Sequence, residues 1–94
     1  MDQKKILIVD DENDVLILLK KGLTVKGYFV ITATNGEDAI VLARSKHPDL
    51  IILDVLMPGM DGPEVDAKLK EDPKTKDIPI MFLTGLYTKK EEST

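Results

Sequence analysis

The sequence predicts an α/β domain in which a doubly wound parallel sheet carries helices on both faces. Short apolar runs rich in β-branched residues alternate with stretches of helical periodicity, and those runs are continuous in apolarity instead of alternating with polar residues. A continuous run means that both faces of a strand are covered, as for interior strands of a parallel sheet. Strict alternation of strand and helix then implies right-handed crossovers between parallel strands.

The first strand is Ile6-Leu7-Ile8-Val9. A helix follows in which Val15, Leu18, Leu19, Gly22 and Leu23 share one face by the i, i+3, i+4, i+7, i+8 rule, and Gly27 is placed to end it. Residues 28–34 read as a second strand, more mixed in polarity and therefore at a sheet edge. Asn35-Gly36 turns the chain into a second helix that carries Ala39, Ile40 and Ala43 and is stopped by Pro48. Residues 50–53 are the third strand. Pro63 suits the first position of a third helix, which runs through Val65 and Leu69 and ends before Pro73. Residues 78–83 form the fourth strand. Thr88-Lys89-Lys90-Glu91 has the spacing of a capping box, so a fourth helix is expected to begin there. No linker, repeat or low-complexity tract interrupts this order, and residues 1–94 read as one domain.

Composition narrows the function. A hydrophobic fraction of 43% with 32% charged residues is that of a folded soluble chain, not a disordered one. With no cysteine and the single histidine His47, neither a disulfide framework nor a thiolate or His-rich metal site can be built. The net charge of −4 with scattered basic residues predicts no nucleic-acid surface on this segment. No apolar run approaches the roughly 20 residues of a membrane span, and the N-terminus lacks the form of a signal peptide, so a cytoplasmic location with no membrane partner is expected.

In open parallel sheets ligands bind beyond the carboxyl ends of the strands. Those ends carry Asp10 and Asp11 after the first strand, Asp54 after the third and Thr84 after the fourth. If the first and third strands are neighbours, three carboxylates converge at one rim. Like charges that close repel unless a cation joins them, and a hard divalent ion with oxygen ligands is the natural partner. Each residue also has a plainer explanation. Asp10 or Asp11 could cap the first helix, and Thr84 is an ordinary strand residue. Met57 and Met60 read as packing residues, and His47 beside Pro48 as an exposed helix end. Asp54 is harder to explain away, because it opens a loop over residues 55–62 that is longer than a connector requires and whose turn chemistry does not call for an acid at the strand end.

The segments Ile6-Leu7-Ile8-Val9-Asp10-Asp11-Glu12, Asn35-Gly36-Glu37-Asp38-Ala39, Pro48-Asp49-Leu50-Ile51-Ile52-Leu53-Asp54, Met57-Pro58-Gly59-Met60-Asp61-Gly62 and Pro79-Ile80-Met81-Phe82-Leu83-Thr84 together resemble the receiver domain of bacterial response regulators. The resemblance implies a flavodoxin-like (CheY-like) fold with strand order 2-1-3-4, cut short before the family's fifth strand. It implies a signalling module, not an enzyme. Asp54 would take a phosphoryl group from the phosphohistidine of a sensor histidine kinase or a phosphotransfer protein. Mg²⁺ would be held by Asp11, Asp54 and the backbone carbonyl of Leu56, with Asp10 helping through water, and Thr84 would be the switch hydroxyl. Phosphoryl transfer needs mainly positioning and charge neutralisation, which these residue types can supply.

The chain departs from the family in two places. Gly85 follows the switch hydroxyl, and no residue matches the lysine that ends the family's fifth strand, since Lys89 and Lys90 come too early. The resemblance therefore implies a domain incomplete at its C-terminus, with fourth-strand self-association, and with Mg²⁺ binding but weak phosphorylation. The competing reading is a phosphorylation-independent pseudo-receiver that keeps the fold as an interaction module. Two others fit less well. A flavodoxin-like cofactor binder would want a Gly/Ser/Thr-rich loop where Asp10-Asp11-Glu12 stands, and a haloacid-dehalogenase-like phosphatase would want a second acid where Leu56 stands.

Overall fold

The chain folds around four parallel strands whose apolar runs leave no polar face. A computed structural model describes residues 3–83, so Thr84, Gly85, Lys89, Lys90 and the capping box at 88–91 lie outside the described residues. The elements are β1 (Lys5–Val9), α1 (Asn13–Val25), β2 (Phe29–Ala33), α2 (Gly36–Lys46), β3 (Leu50–Asp54), α3 (Gly62–Glu71) and β4 (Ile80–Leu83). The sheet order is β2-β1-β3-β4, all pairs parallel, as the resemblance implied. β2, the strand of mixed polarity, lies at an edge.

Two apolar layers sandwich the sheet. Leu7, Val9, Ile51 and Leu53 point to one face, where Ala39 and Ala43 of α2 and Val65 and Leu69 of α3 cover them. Ile6, Ile8, Ile52 and Leu83 point to the other, where Leu16 of α1 joins them with Val15, Leu19 and Leu23 at its margin. Strand alternation produces this division, since successive side chains leave a strand on opposite faces.

The helix ends follow local chemistry. Gly27 adopts φ +101° behind α1, and its N–H donates to the carbonyl of Thr24, a backbone conformation that favours glycine. The Asn35 side chain caps α2 by accepting the Asp38 N–H at 2.8 Å, while His47 takes the left-handed conformation at the helix's far end and stays exposed. Asp61 and Glu64 form a reciprocal capping box at the start of α3.

Four expectations shift. The buried face of α1 centres on Leu16, while Leu18 is 71% exposed and Gly22 is also at the surface. The spacing of leucines there fits two overlapping faces, and the sheet takes the one that keeps Val15, Leu19 and Leu23 but turns Leu16 inward in place of Leu18 and Gly22. α3 begins at Gly62, one residue before Pro63, because Asp61 is its cap. Asp54 is the last residue of β3, not the first of the loop, because it is still paired with Leu83 of β4. Finally, β4 begins at Ile80: Ile78 instead donates its N–H to the carbonyl of Thr75 in a turn, and the Pro79 carbonyl opens the ladder by accepting the Ile51 N–H.

Candidate functional site

Register brings the acids together. Val9 is paired with Leu53, so the next residues along, Asp10 and Asp54, stand side by side at the carboxyl ends of adjacent strands. Both are buried, at 0% and 1% exposure. The Asp10 N–H donates to the Ala33 carbonyl at 3.2 Å, extending the contact with β2 past the end of β1. One of its carboxylate oxygens, Oδ1, accepts the Glu12 N–H at 2.9 Å and turns the chain into α1. Glu12, not Asp10 or Asp11, is the N-cap of that helix, and its side chain makes no capping bond. Helix capping therefore does not explain the pair.

One carboxylate oxygen each from Asp10, Asp11 and Asp54 lies within 4.8 Å of the other two, an arrangement that could hold a metal ion. Three acids at that spacing repel strongly in a buried setting. All three offer hard oxygen donors, and Asp11 is only half-buried, so the cluster keeps an open side. A small oxygen-seeking cation that retains several waters fits this donor set; Mg²⁺ is such an ion.

The loop after Asp54 is braced at both ends. The Val55 carbonyl accepts the Gly62 N–H at 2.9 Å. Met57 is buried in the α2–α3 layer and Met60 packs at its margin, the packing roles expected of them. Leu56 turns its side chain outward, 56% exposed, so only its main chain is available to a site. Gly59 has φ +78° after Pro58. A shallow groove of about 350 Å³ beside this loop is lined by Asn35, Glu37, Pro58, Gly59, Met60 and Glu64. It includes none of the three carboxylates and does not coincide with the site.

Of the expected site residues, Asp10, Asp11 and Asp54 are brought together, and Leu56 lies in the loop just beyond them. Thr84 lies outside the described residues. Gly62, which sits against the Asp54–Val55 backbone, and the cap Asp61 are not among the residues the sequence singled out. The Asp61-x-x-Glu64 spacing was the available signal for its capping role.

Comparison with known proteins shows the family. The model of the response regulator receiver domain family matches residues 6–93. The chain is 46% identical over 84 residues to the probable transcriptional regulator ycf27 of Porphyra purpurea, covering 89% of this chain and 33% of that protein. It is 47% identical over 82 residues to the alkaline phosphatase synthesis transcriptional regulatory protein PhoP of Bacillus subtilis, covering 87% and 33% respectively. The chain thus spans about a third of the length of these relatives. Among solved structures, the N-terminal domain of a response regulator receiver protein from Methanoculleus marisnigri superposes with a TM-score of 0.86 at 37% identity, covering 98% of this chain and 75% of that one. The chemotaxis protein CheY4 of Vibrio cholerae gives a TM-score of 0.86 at 32% identity, covering 98% and 77%. Fold and rim acids define a CheY-like α/β signalling module. The chain belongs to the response regulator receiver domain family of two-component systems.

Proposed function

We propose that Asp54 is the phosphoacceptor of this receiver domain and that Mg²⁺ is held there by Asp11, Asp54 and the backbone carbonyl of Leu56, with Asp10 helping through water. The carrying observation is the convergence of three carboxylates within 4.8 Å around a buried strand-end aspartate. When bound, Mg²⁺ supplies the positive charge that offsets the acids and the incoming phosphoryl oxygens. A carboxylate oxygen of Asp54 attacks the phosphorus of a phosphohistidine on a sensor histidine kinase or phosphotransfer protein. The P–O bond forms as the P–N bond breaks, and the imidazole nitrogen leaves with the bonding electron pair and takes up a proton. Burial of Asp54 at the end of a strand paired on both sides limits its motion, which is how positioning lowers the barrier of an in-line transfer. The Thr84 hydroxyl then reads the phosphoryl group as the switch residue. The module acts in the cytoplasm as a signalling partner of such a kinase.

Incubation with acetyl phosphate and Mg²⁺, followed by intact-mass measurement, tests this reading. Incorporation of one phosphoryl group is expected in the wild-type chain and none in Asp54→Asn or with the metal chelated. Equal incorporation in Asp54→Asn would assign the acceptor elsewhere. No incorporation at all, with an Asp54→Asn full-length protein that signals normally, would favour the phosphorylation-independent module.

A further inference from the structure

Gly62 is pressed against the acceptor peptide. A Cβ placed there would collide with the Asp54 carbonyl oxygen and lie 2.9 Å from the Val55 Cα and 3.2 Å from the Asp54 carbonyl carbon. Its φ is not in the left-handed region, so close approach, not backbone conformation, is what demands glycine here. The same residue donates its N–H to the Val55 carbonyl at 2.9 Å, and the Asp61–Glu64 capping box holds the first turn of α3 in place. Every atom that a side chain would strike is backbone of residue 54 or 55. Asp54 is itself paired with Leu83 of β4 and follows Leu53, which is paired with Val9 of β1, so any yielding on the strand side moves Asp54. Gly36 is also crowded, but its added Cβ would meet Val65 Cγ2 at 2.7 Å and the Met60 Cβ and Sδ at 3.0 Å, side-chain atoms and not the backbone of the strand that carries Asp54.

We propose that Gly62 is a positioning residue: it seats the N-terminus of α3 on the Asp54–Val55 peptide and so sets the Asp54 carboxylate against those of Asp10 and Asp11. This rests on the metal and phosphoacceptor reading above. Supporting groups behind a metal's ligands typically contribute about 10–100-fold to affinity, and Gly62 acts in that manner through main-chain contact.

The test is Mg²⁺ titration of wild type, Gly62→Ala and Gly36→Ala, followed by amide NMR, with unfolding midpoints measured on the same samples. Gly62→Ala is expected to weaken Mg²⁺ binding about tenfold or more. Gly36→Ala is expected to lower the unfolding midpoint while its folded fraction binds Mg²⁺ like wild type. Wild-type affinity in folded Gly62→Ala would overturn the inference. Should Gly62→Ala not fold, the wild type still decides: the Gly62 amide signal must move with those of Asp10, Asp11 and Asp54 on adding Mg²⁺, while that of Gly36 stays. A stationary Gly62 signal beside moving aspartate signals overturns the positioning role alone. No movement at the three aspartates overturns the metal reading and this inference with it.

Discussion

Asp10 and Asp54 stand level on adjacent parallel strands, each one residue beyond the registered pair Val9 and Leu53, and both are almost fully buried. With Asp11 completing the cluster, fold stability and metal affinity oppose one another here. Two unit charges no more than 4.8 Å apart repel by at least about 3 kcal/mol at an effective dielectric constant near 20. Asp10→Asn removes one charge but keeps an Oδ1 to accept the Glu12 N–H. The metal-free variant is expected to gain about 1 kcal/mol, a rise in Tm of about 4–8 °C for a domain this size. Its further stabilisation by Mg²⁺ should shrink well below that of wild type. Thermal unfolding with and without Mg²⁺ checks both signs, and a variant that melts lower than wild type without metal would contradict the repulsion.

Leu56 enters the proposed site only through its carbonyl, since its side chain is 56% exposed. Leu56→Ala should therefore leave Mg²⁺ affinity and acetyl-phosphate labelling as they are in wild type, and stability within about 0.5 kcal/mol. A large loss of metal affinity would mean that the side chain shapes the loop in a way its exposure does not suggest.

The face of α1 separates what could be read in the sequence from what could not. The strands and the three rim acids were legible because β-branched runs and strand-end carboxylates are local signals with fixed physical causes, whereas the strand order followed only from the family resemblance. The rotation of α1 was not: Ile17 and Leu18 are as apolar as Leu16 and Leu19, and only contact with the sheet chooses among them. Leu16 is buried at 5% exposure, whereas Leu18 is 71% exposed. Leu16→Ala is expected to cost about 2–4 kcal/mol in urea unfolding, and Leu18→Ala about 0.5 kcal/mol or less. The reverse ranking would restore the face expected from the leucine spacing. Gly62 was illegible for a related reason, since its crowding arises from a strand and a helix meeting across a loop.

Among the described residues β4 borders only β3, and Met81 in its middle is 55% exposed. An apolar strand edge invites pairing with another copy, and a lysine on the edge discourages it. We expect the chain to self-associate across β4 as concentration rises, and Met81→Lys to shift it toward monomer without lowering Mg²⁺ affinity. Sedimentation velocity over a concentration series measures this, and a wild-type chain that stays monomeric throughout would rule the association out.

Thr75 is a polar residue at 1% exposure whose hydroxyl donates to the Leu69 carbonyl at 2.7 Å. Leu69 belongs to the last turn of α3, and its carbonyl otherwise accepts only the N–H of the C-cap Asp72, at a long 3.4 Å. The Thr75 N–H also donates to the Asp72 carbonyl, so this one residue folds the segment after Pro73 back under the helix. The exposed ion pair between Arg44 and Asp72, at 2.8 Å, ties α2 to the same corner, yet with Arg44 half exposed it should contribute less than about 1 kcal/mol. Thr75→Val keeps the shape and removes the donor, leaving the Leu69 carbonyl only the long bond from the Asp72 N–H, which costs about 1 kcal/mol. Thr75→Ser, which retains the hydroxyl, should recover most of that loss, while Arg44→Ala should change stability little, and less still in high salt. Urea unfolding of the three variants orders these effects, and a Thr75→Val chain as stable as wild type would show that the Asp72 N–H alone satisfies the carbonyl.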